Sequence, residues 1–299
     1  PLSRIRGGGV PEAPGLSRPG FVAATFYILN VNFLTGRFSV PDGDATTIAM
    51  VSGKGGVGKT VTTANLAIAL QEIGETVATV DCDTGAADLA LHLGLPVPGE
   101  DALQAALADD DAVVDAIRLH DTGLMVLPAA HTMHEEVIDR TELERVLDRL
   151  HGTVLIDAPP GLDRNVHTIM DVADEIIIVT NPEIPAVSDA VAVAEAVRME
   201  HDSGGDASAV VTKADELAAE VTETQIESAL DVPVIGTVPY DYSLKEAINA
   251  QEPVLYHTPH ARSAIAYRDL AAWIAGTAYR PPSFSRVKRV IDSVQRRFP

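Results

Sequence analysis

A short glycine-rich segment with two lysines is the part of this sequence best suited to chemistry. Residues 53–60 read Gly-Lys-Gly-Gly-Val-Gly-Lys-Thr and stand between an apolar run and a stretch of helical character. In such a loop the glycines let successive backbone N–H groups turn inward around phosphates, while a lysine neutralises charge and a hydroxyl ligates Mg²⁺. The start of the following helix adds partial positive charge. The segment therefore predicts a phosphate-binding loop made of Gly53, Lys54, Gly55, Gly56, Val57, Gly58, Lys59, Thr60 and Val61.

Three aspartates follow apolar runs, at places where their carboxylates could serve the same site. Asp81 and Asp83 follow one β-branched run, and Asp157 ends the run that begins at Thr153. In a doubly wound sheet, ligands bind beside the carboxyl ends of the strands. Phosphoryl transfer needs an oriented water and neutralised charge more than it needs covalent help. Taken alone, the Asp-x-Asp pattern is also what a solvated loop would contain.

The elements that position these residues alternate regularly along the chain. Short apolar, β-branched runs recur from residue 46 onward, with helical stretches between them. Runs that are apolar on both faces suit buried parallel strands, and the longer stretches suit crossover helices. The pattern predicts an α/β fold with a doubly wound, mostly parallel sheet. The predicted strands are Thr47–Val51, Thr76–Val80, Leu124–Leu127, Thr153–Ile156, Glu175–Thr180, Ala207–Val211 and Val232–Gly236.

The second lysine of the loop, Lys54, makes the segment resemble the deviant Walker A motif of the MinD/ParA family of P-loop ATPases. The resemblance extends over residues 46–276 and is closest to archaeal MinD-like proteins. It implies a P-loop NTPase fold, ATP and Mg²⁺ as cofactors, and a homodimer in the ATP state, in which the extra lysine reaches the nucleotide of the partner subunit. By this resemblance, Lys54, Lys59 and Asp83 are the catalytic residues.

The same resemblance implies roles for residues at the strand ends. Asp83 is expected to orient the attacking water, Asp81 to support the Mg²⁺ shell, and Asp157 to hold the ion through water. Gly161, in the Pro-Pro-Gly turn after Asp157, is expected to place a backbone N–H near the terminal phosphate. The expected metal ligands are Thr60, Asp81, Asp83 and Asp157.

Two later segments bear on the identity of the base. Residues 180–183, Thr-Asn-Pro-Glu, and 238–241, Val-Pro-Tyr-Asp, resemble MinD proteins, so that Pro239 and Asp241 are expected to lie beside the adenine. The Asn-Arg that the family has after the sixth strand is replaced by Thr-Lys-Ala-Asp at 212–215, which resembles the guanine-reading motif of GTPases. The remaining motifs favour ATP over GTP.

Composition limits the kind of partner. The chain has 22 basic and 43 acidic residues, a net charge of −21, and only five lysines. Such a surface is typical of a protein from a salt-loving organism, here a haloarchaeon, although an ordinary acidic cytosolic protein would also fit. It disfavours nucleic acid, because DNA-binding proteins need a basic surface. The single cysteine, Cys82, excludes a disulfide framework or a site of several cysteines, and it indicates a cytoplasmic protein.

Residues 1–40 differ in composition from the rest of the chain. They hold four arginines against one glutamate, and their apolar run, Phe21–Leu34, is too short to span a bilayer. A signal peptide also places basic residues before an apolar stretch, but the nucleotide-binding motifs that follow argue against one. We expect a disordered or mis-assigned upstream segment, with the protein proper beginning near residues 40–50.

The C-terminal residues are basic and amphipathic. We expect a linker at 277–282 and a helix at 283–298, whose apolar residues recur at spacings of three and four. Such a helix resembles the membrane-targeting sequence of MinD proteins and would bring the protein to the cytoplasmic face of the membrane. Docking on the acidic body of the protein and pairing as a short coiled coil are the alternatives. The apolar stripe consists of Phe284, Val287, Ile291, Val294 and Phe298.

Together these features predict a Mg·ATP-dependent dimerising ATPase switch of MinD type, slow and stimulated by its dimer or a partner, that positions division or polar machinery. A protein activator or cargo is expected as a further partner. A ParA-like DNA-partitioning ATPase is the alternative, and it requires a basic surface on the body. An iron–sulfur carrier of the related group requires paired cysteines. A scaffold without activity is disfavoured because Lys59, Thr60, Asp83 and Asp157 are all present.

Overall fold

A computed structural model of the chain describes residues 45–96, 102–130, 137–200, 207–215 and 221–280. The expectations for residues 1–40 and for the helix at 283–298 lie outside these residues, as does the end of the expected linker. Within the described ranges, no helix is long and apolar enough to cross a membrane.

The described strands form one sheet, which confirms the predicted fold class. Its order is β3-β4-β2-β5-β1-β6-β7-β8, and each neighbouring pair is parallel except β3 with β4. The central strand β1 lies between β5 and β6, with Ile48 opposite Leu155 on one side and Glu175 on the other. The strands are β1 (Thr46–Val51), β2 (Val77–Asp81), β3 (Arg118–Leu119), β4 (Met125–Leu127), β5 (Thr153–Asp157), β6 (Glu175–Thr180), β7 (Ala207–Ala214) and β8 (Val234–Pro239).

Eleven helices cover the sheet in the described part of the chain. They are α1 (Lys59–Glu72), α2 (Leu89–His92), α3 (Ala102–Ala108), α4 (Ala112–Ala116), α5 (Arg140–Leu147), α6 (Arg164–Val172), α7 (Ile184–Glu200), α8 (Glu223–Leu230), α9 (Tyr242–Asn249), α10 (Val254–His257) and α11 (Arg262–Ile274).

The core has two layers, one on each face of the sheet. Successive residues of a strand point to opposite faces, and in β1 Ile48 and Met50 join the layer that contains α1 and α11. Ala49 and Val51 join the opposite layer, which contains α5, α6 and α7. Helices on both faces explain why the parallel strands are apolar without alternation.

All seven predicted strands are present, and β3 is an addition. It consists of Arg118 and Leu119 alone and pairs antiparallel with β4 at the edge of the sheet. Two residues are too few for a recognisable apolar or alternating pattern. The last predicted strand begins and ends later than expected, at Val234 and Pro239.

Candidate nucleotide-binding site

The glycine-rich loop lies between the end of β1 at Val51 and the start of α1 at Lys59. Gly56 and Gly58 have φ angles of 77° and 101°, a left-handed conformation that residues with a Cβ seldom adopt. Gly58 directly precedes α1, and its carbonyl oxygen accepts the first helical hydrogen bond, from the Thr62 N–H at 2.9 Å. The loop thus curves around a helix N-terminus, where unpaired amides favour an anion.

The loop borders a cavity of about 490 Å³. Residues 55–61, Asp83 and Pro160 line it. The last residues of β8 and residues of α9 also line it. The cavity joins the predicted phosphate site to the predicted base site, including Pro239 and Asp241.

Lys59 and Asp157 form a buried ion pair at the base of the loop. Their Nζ and Oδ1 atoms are 2.7 Å apart, and the two side chains are only 5% and 0% exposed. Thr63, one helical turn after Lys59, donates its hydroxyl hydrogen to the same oxygen at 2.9 Å. Asp157 Oδ2 is buried and has no hydrogen-bond partner within the described part of the chain. One carboxylate oxygen therefore retains full capacity for another donor or for a metal-bound water.

Asp81 is buried at the end of β2 and accepts two backbone hydrogen bonds. The N–H of Asp83 reaches Oδ1 at 3.1 Å, and that of Leu89 reaches Oδ2 at 3.3 Å. Burial, and then the neighbouring charge of Asp157, raise the pKa of Asp81 well above its usual range, against the opposing effect of Lys59. Asp81 therefore shapes the loop that holds Asp83, and it does not line the cavity.

Asp83 does line the cavity, close to the charges of the loop. Its Oδ1 accepts the Ala86 N–H at 3.1 Å. Burial raises the pKa of Asp83, whereas Lys59 and the Ala86 amide lower it. His92 also borders the cavity, and burial lowers the pKa of its imidazole. The predicted water-orienting carboxylate thus stands at the phosphate end of the cavity.

The two lysines of the loop have opposite environments. Lys54 is exposed, makes no hydrogen bond or ion pair within the described residues, and does not line the cavity that Lys59 borders. The preceding Gly53 lies against the backbone of α7, so closely that an added Cβ would stand 2.3 Å from the Asp189 carbonyl oxygen. Tight packing of Gly53 against α7 therefore fixes the start of the loop, directly before its exposed residues 54–56.

The turn after β5 is tied to the loop by its backbone. The Gly161 N–H donates to the Ser52 carbonyl oxygen at 2.8 Å, and Gly161 has a φ of 98°. In this structure that amide, expected near the terminal phosphate, is engaged by the protein itself. Pro160 is exposed beside Gly55, with 4.0 Å between its Cγ and the position of a Cβ on Gly55.

Asp241 has partners within the fold although it borders the cavity. Its Oδ1 accepts the Ser243 N–H at 2.9 Å and caps α9. Its Oδ2 accepts the N–H and the hydroxyl hydrogen of Ser263, at 3.1 and 3.0 Å. Asp241 therefore fixes α9 against the start of α11, while Pro239 and Tyr240 present apolar surface to the cavity.

Sequence reasoning missed several residues of the site. Thr63 was detectable, since it lies four residues after Lys59 on the same face of α1. Tyr240 and Lys245 border the base end, with the Lys245 Nζ 2.6 Å from the Tyr240 hydroxyl. Their placement depends on how α9 follows β8, which gives no pattern in the sequence.

The residues present fit a nucleotide with Mg²⁺. The left-handed glycines turn the loop around the start of α1, and the buried Asp157 oxygen without a partner is suited to a water of the ion. Among the described residues, no three His, Cys, Asp or Glu side chains converge as a preformed metal site. The ion would therefore be held by Thr60, by Asp157 and Asp83 through water, and by phosphate oxygens.

Comparisons with known proteins agree with this geometry. Residues 48–254 match the CobQ/CobB/MinD/ParA nucleotide binding domain. The chain is 37% identical over 243 residues to an uncharacterised ATP-binding protein of Methanocaldococcus jannaschii, covering 79% of this chain and 89% of that protein. It is 32% identical over 240 residues to the septum site-determining protein MinD of Synechocystis, covering 77% and 89%.

A solved structure is similar over the same part of the chain. The septum site-determining protein MinD of Pyrococcus horikoshii, complexed with Mg-ADP, has a TM-score of 0.69 and 29% identity, and the match covers 77% of this chain and 96% of that one. The matched family domain includes the loop with its two lysines and Asp157. This chain therefore belongs to the MinD/ParA family of P-loop ATPases.

Proposed function

We propose that the protein is an ATP-driven switch of MinD type, in which Mg·ATP joins two copies and hydrolysis separates them. The observation that supports this best is the contrast between the two loop lysines. Lys59 is buried on Asp157, whereas Lys54 is exposed and has no partner in the described part of its own chain. An exposed cation beside the phosphate site is suited to contact a nucleotide held by a second copy.

ATP and Mg²⁺ are the cofactors, and each residue of the site has a distinct task. Mg²⁺, when bound, neutralises phosphate charge. Lys59, already desolvated, offers its ammonium to the phosphates, and Thr60 offers a hydroxyl at the start of α1. Asp157 and Asp83 hold or orient water beside them. Because these carboxylates only hold or orient water and take no covalent part, hydrolysis by the isolated subunit should be slow.

Dimerisation tests the proposal directly. Sedimentation velocity with Mg²⁺ and a non-hydrolysable ATP analogue should give a dimer, whereas ADP should give a monomer. Lys54→Ala should remain monomeric with the analogue while it still binds nucleotide. Arg140→Ala, which removes an exposed cation on α5 outside the cavity, should dimerise normally. If the wild-type protein stays monomeric with the analogue, the proposed dimerising switch is wrong.

We further propose that residues 283–298 bring the dimer to the cytoplasmic face of the membrane, where it positions division or polar machinery through a protein activator or cargo. Support comes from the sequence: residues 280–299 hold six basic residues against one aspartate, with an apolar stripe between them. Two tails in one dimer bind more tightly than one, so membrane binding should follow the nucleotide.

Vesicles of anionic phospholipid test the tail. The full chain should float with them in the presence of the ATP analogue and less with ADP, and a chain that ends at residue 280 should remain in solution in both cases. Equal recovery of the full and truncated chains with the vesicles would exclude this role for the tail.

A further inference from the structure

The Thr-Lys pair at the end of β7 contacts the nucleotide loop, and the proposed function assigns it no task. The Thr212 hydroxyl is buried and lies within hydrogen-bond distance of two carbonyl oxygens, that of Val57 and that of Thr180 at 3.1 Å. The Lys213 ammonium donates to the Gly56 carbonyl oxygen. Two neighbouring side chains thus engage two successive carbonyls of the loop, and both side chains border the cavity.

The backbone of β7 is shaped for these contacts. The parallel register between β7 and β8 is irregular between Val211 and Ala214, the interval that contains the pair. Lys213 has a φ of 55°, which is uncommon for a residue with a Cβ. An irregularity of this kind redirects side chains at the end of a strand and is frequent beside functional sites. Here the Lys213 side chain departs from the alternation of side chains between the two faces of the sheet and points toward the loop.

Because peptide units are planar, the contacts to the loop carbonyls also set the orientation of the loop N–H groups. The described peptide bonds are all trans, so the C=O and N–H groups of one peptide unit point in opposite directions. The Gly56 carbonyl shares its unit with the Val57 N–H, and the Val57 carbonyl shares its unit with the Gly58 N–H. When Thr212 and Lys213 hold the two carbonyls, both amides must face away from β7.

We propose that Thr212 and Lys213 are positioning residues, which hold two successive amides of the loop in the orientation that binds the terminal phosphates of a nucleoside di- or triphosphate. This rests on the proposed nucleotide binding at the loop. The pair acts through the loop, and neither side chain needs to touch the base. Gly56 and Gly58, flexible because they lack a Cβ, are the residues that most need such restraint.

The test measures the affinity of the full chain for ADP and for inorganic pyrophosphate, by displacement of a fluorescent ADP in the presence of Mg²⁺. Lys213→Met and Thr212→Val should each weaken both ligands about fivefold to tenfold, because one hydrogen bond to the loop is lost. Equal loss for the two ligands is the essential result, since pyrophosphate has no base. A loss confined to ADP would identify a base contact and overturn the proposal, as would unchanged affinity for both.

Conservative variants and a remote control separate positioning from general stability. Lys213→Arg and Thr212→Ser keep a donor and should restore affinity to within about twofold of the wild type. Arg140→Met removes a cation on α5 and should change neither affinity. Lower melting temperatures of the nucleotide-free variants with unchanged affinities would mean a purely structural role. If the wild-type protein itself fails to bind ADP, the proposed function is wrong, whatever the variants do.

Discussion

Lys59→Met should destabilise the nucleotide-free protein far more than Lys54→Met, although both changes remove a lysine from one loop. Lys59 and Asp157 are buried, with 2.7 Å between their charged atoms. Removal of one member of a buried pair leaves the other as an uncompensated charge and typically costs about 3–5 kcal/mol. Lys54 is exposed and has no partner among the described residues, so its loss should change the free energy of unfolding by less than about 0.5 kcal/mol.

The pH dependence of this cost has a definite sign. Lys59 opposes the rise in the pKa of Asp81 that burial and Asp157 cause, so the variant raises carboxyl pKa values in the folded state. The folded variant then binds more protons than the folded wild type, and its stability relative to the wild type improves as the pH falls. The cost of Lys59→Met should therefore be smaller at pH 5 than at pH 7.

Urea unfolding of the nucleotide-free protein at these two pH values measures both effects. Lys59→Met with Asp157→Asn should cost less than the sum of the two single variants, because neither partner is then left alone. Similar costs for the Lys59 and Lys54 variants at pH 7, or strict additivity in the double variant, would refute the assignment of this pair as a buried, mutually dependent unit.

Two further predictions concern packing and titration. Gly53→Ala should cost about 1–3 kcal/mol in thermal or urea unfolding because its Cβ would meet the Asp189 carbonyl. Gly55→Ala should cost little, because its Cβ would make only an ordinary contact with Pro160, and equal costs for the two variants would contradict the close approach at Gly53. Burial raises the pKa of Tyr267 to about 12, so the folded state keeps a proton that the unfolded state loses above about pH 10. Between pH 10 and 12 the wild type should lose about 2–3 kcal/mol of stability that Tyr267→Phe does not lose, and parallel curves for the two would contradict the raised value.

Much of the fold, and many of the residues around the phosphate-binding loop, were predictable from local patterns in the sequence. Apolar, β-branched runs identified seven strands, because strands buried on both faces tolerate few polar residues. Lys59, Asp83 and Asp157 were expected to meet since each lies beside the carboxyl end of a parallel strand. In the structure, Lys59 and Asp83 line one cavity, and Asp157 is paired with Lys59. These predictions needed only the order of elements.

Contacts across long sequence separations were not predictable. Thr212 and Lys213 stood out in the sequence as a departure in the base-reading region, yet they bind loop carbonyls 155 and 157 residues away. Asp241 was expected beside the adenine, and it does line the cavity, but the sequence did not show that its carboxylate also caps α9 and binds Ser263. In both cases the residue type was informative, but its partner was decided by packing of elements that share no local pattern.

The central place of β1 in the sheet also governs when the site can form during synthesis. Thr46 pairs with Thr153, and the loop that follows β1 is held by side chains of β7. At about 5–20 residues per second, roughly 8–30 s pass between synthesis of the loop and synthesis of Lys213. Until then the nascent chain carries the glycine-rich segment without the strands that shape it. If Thr212 and Lys213 hold the loop as proposed, ATP should stabilise the site only after β7 has been synthesised.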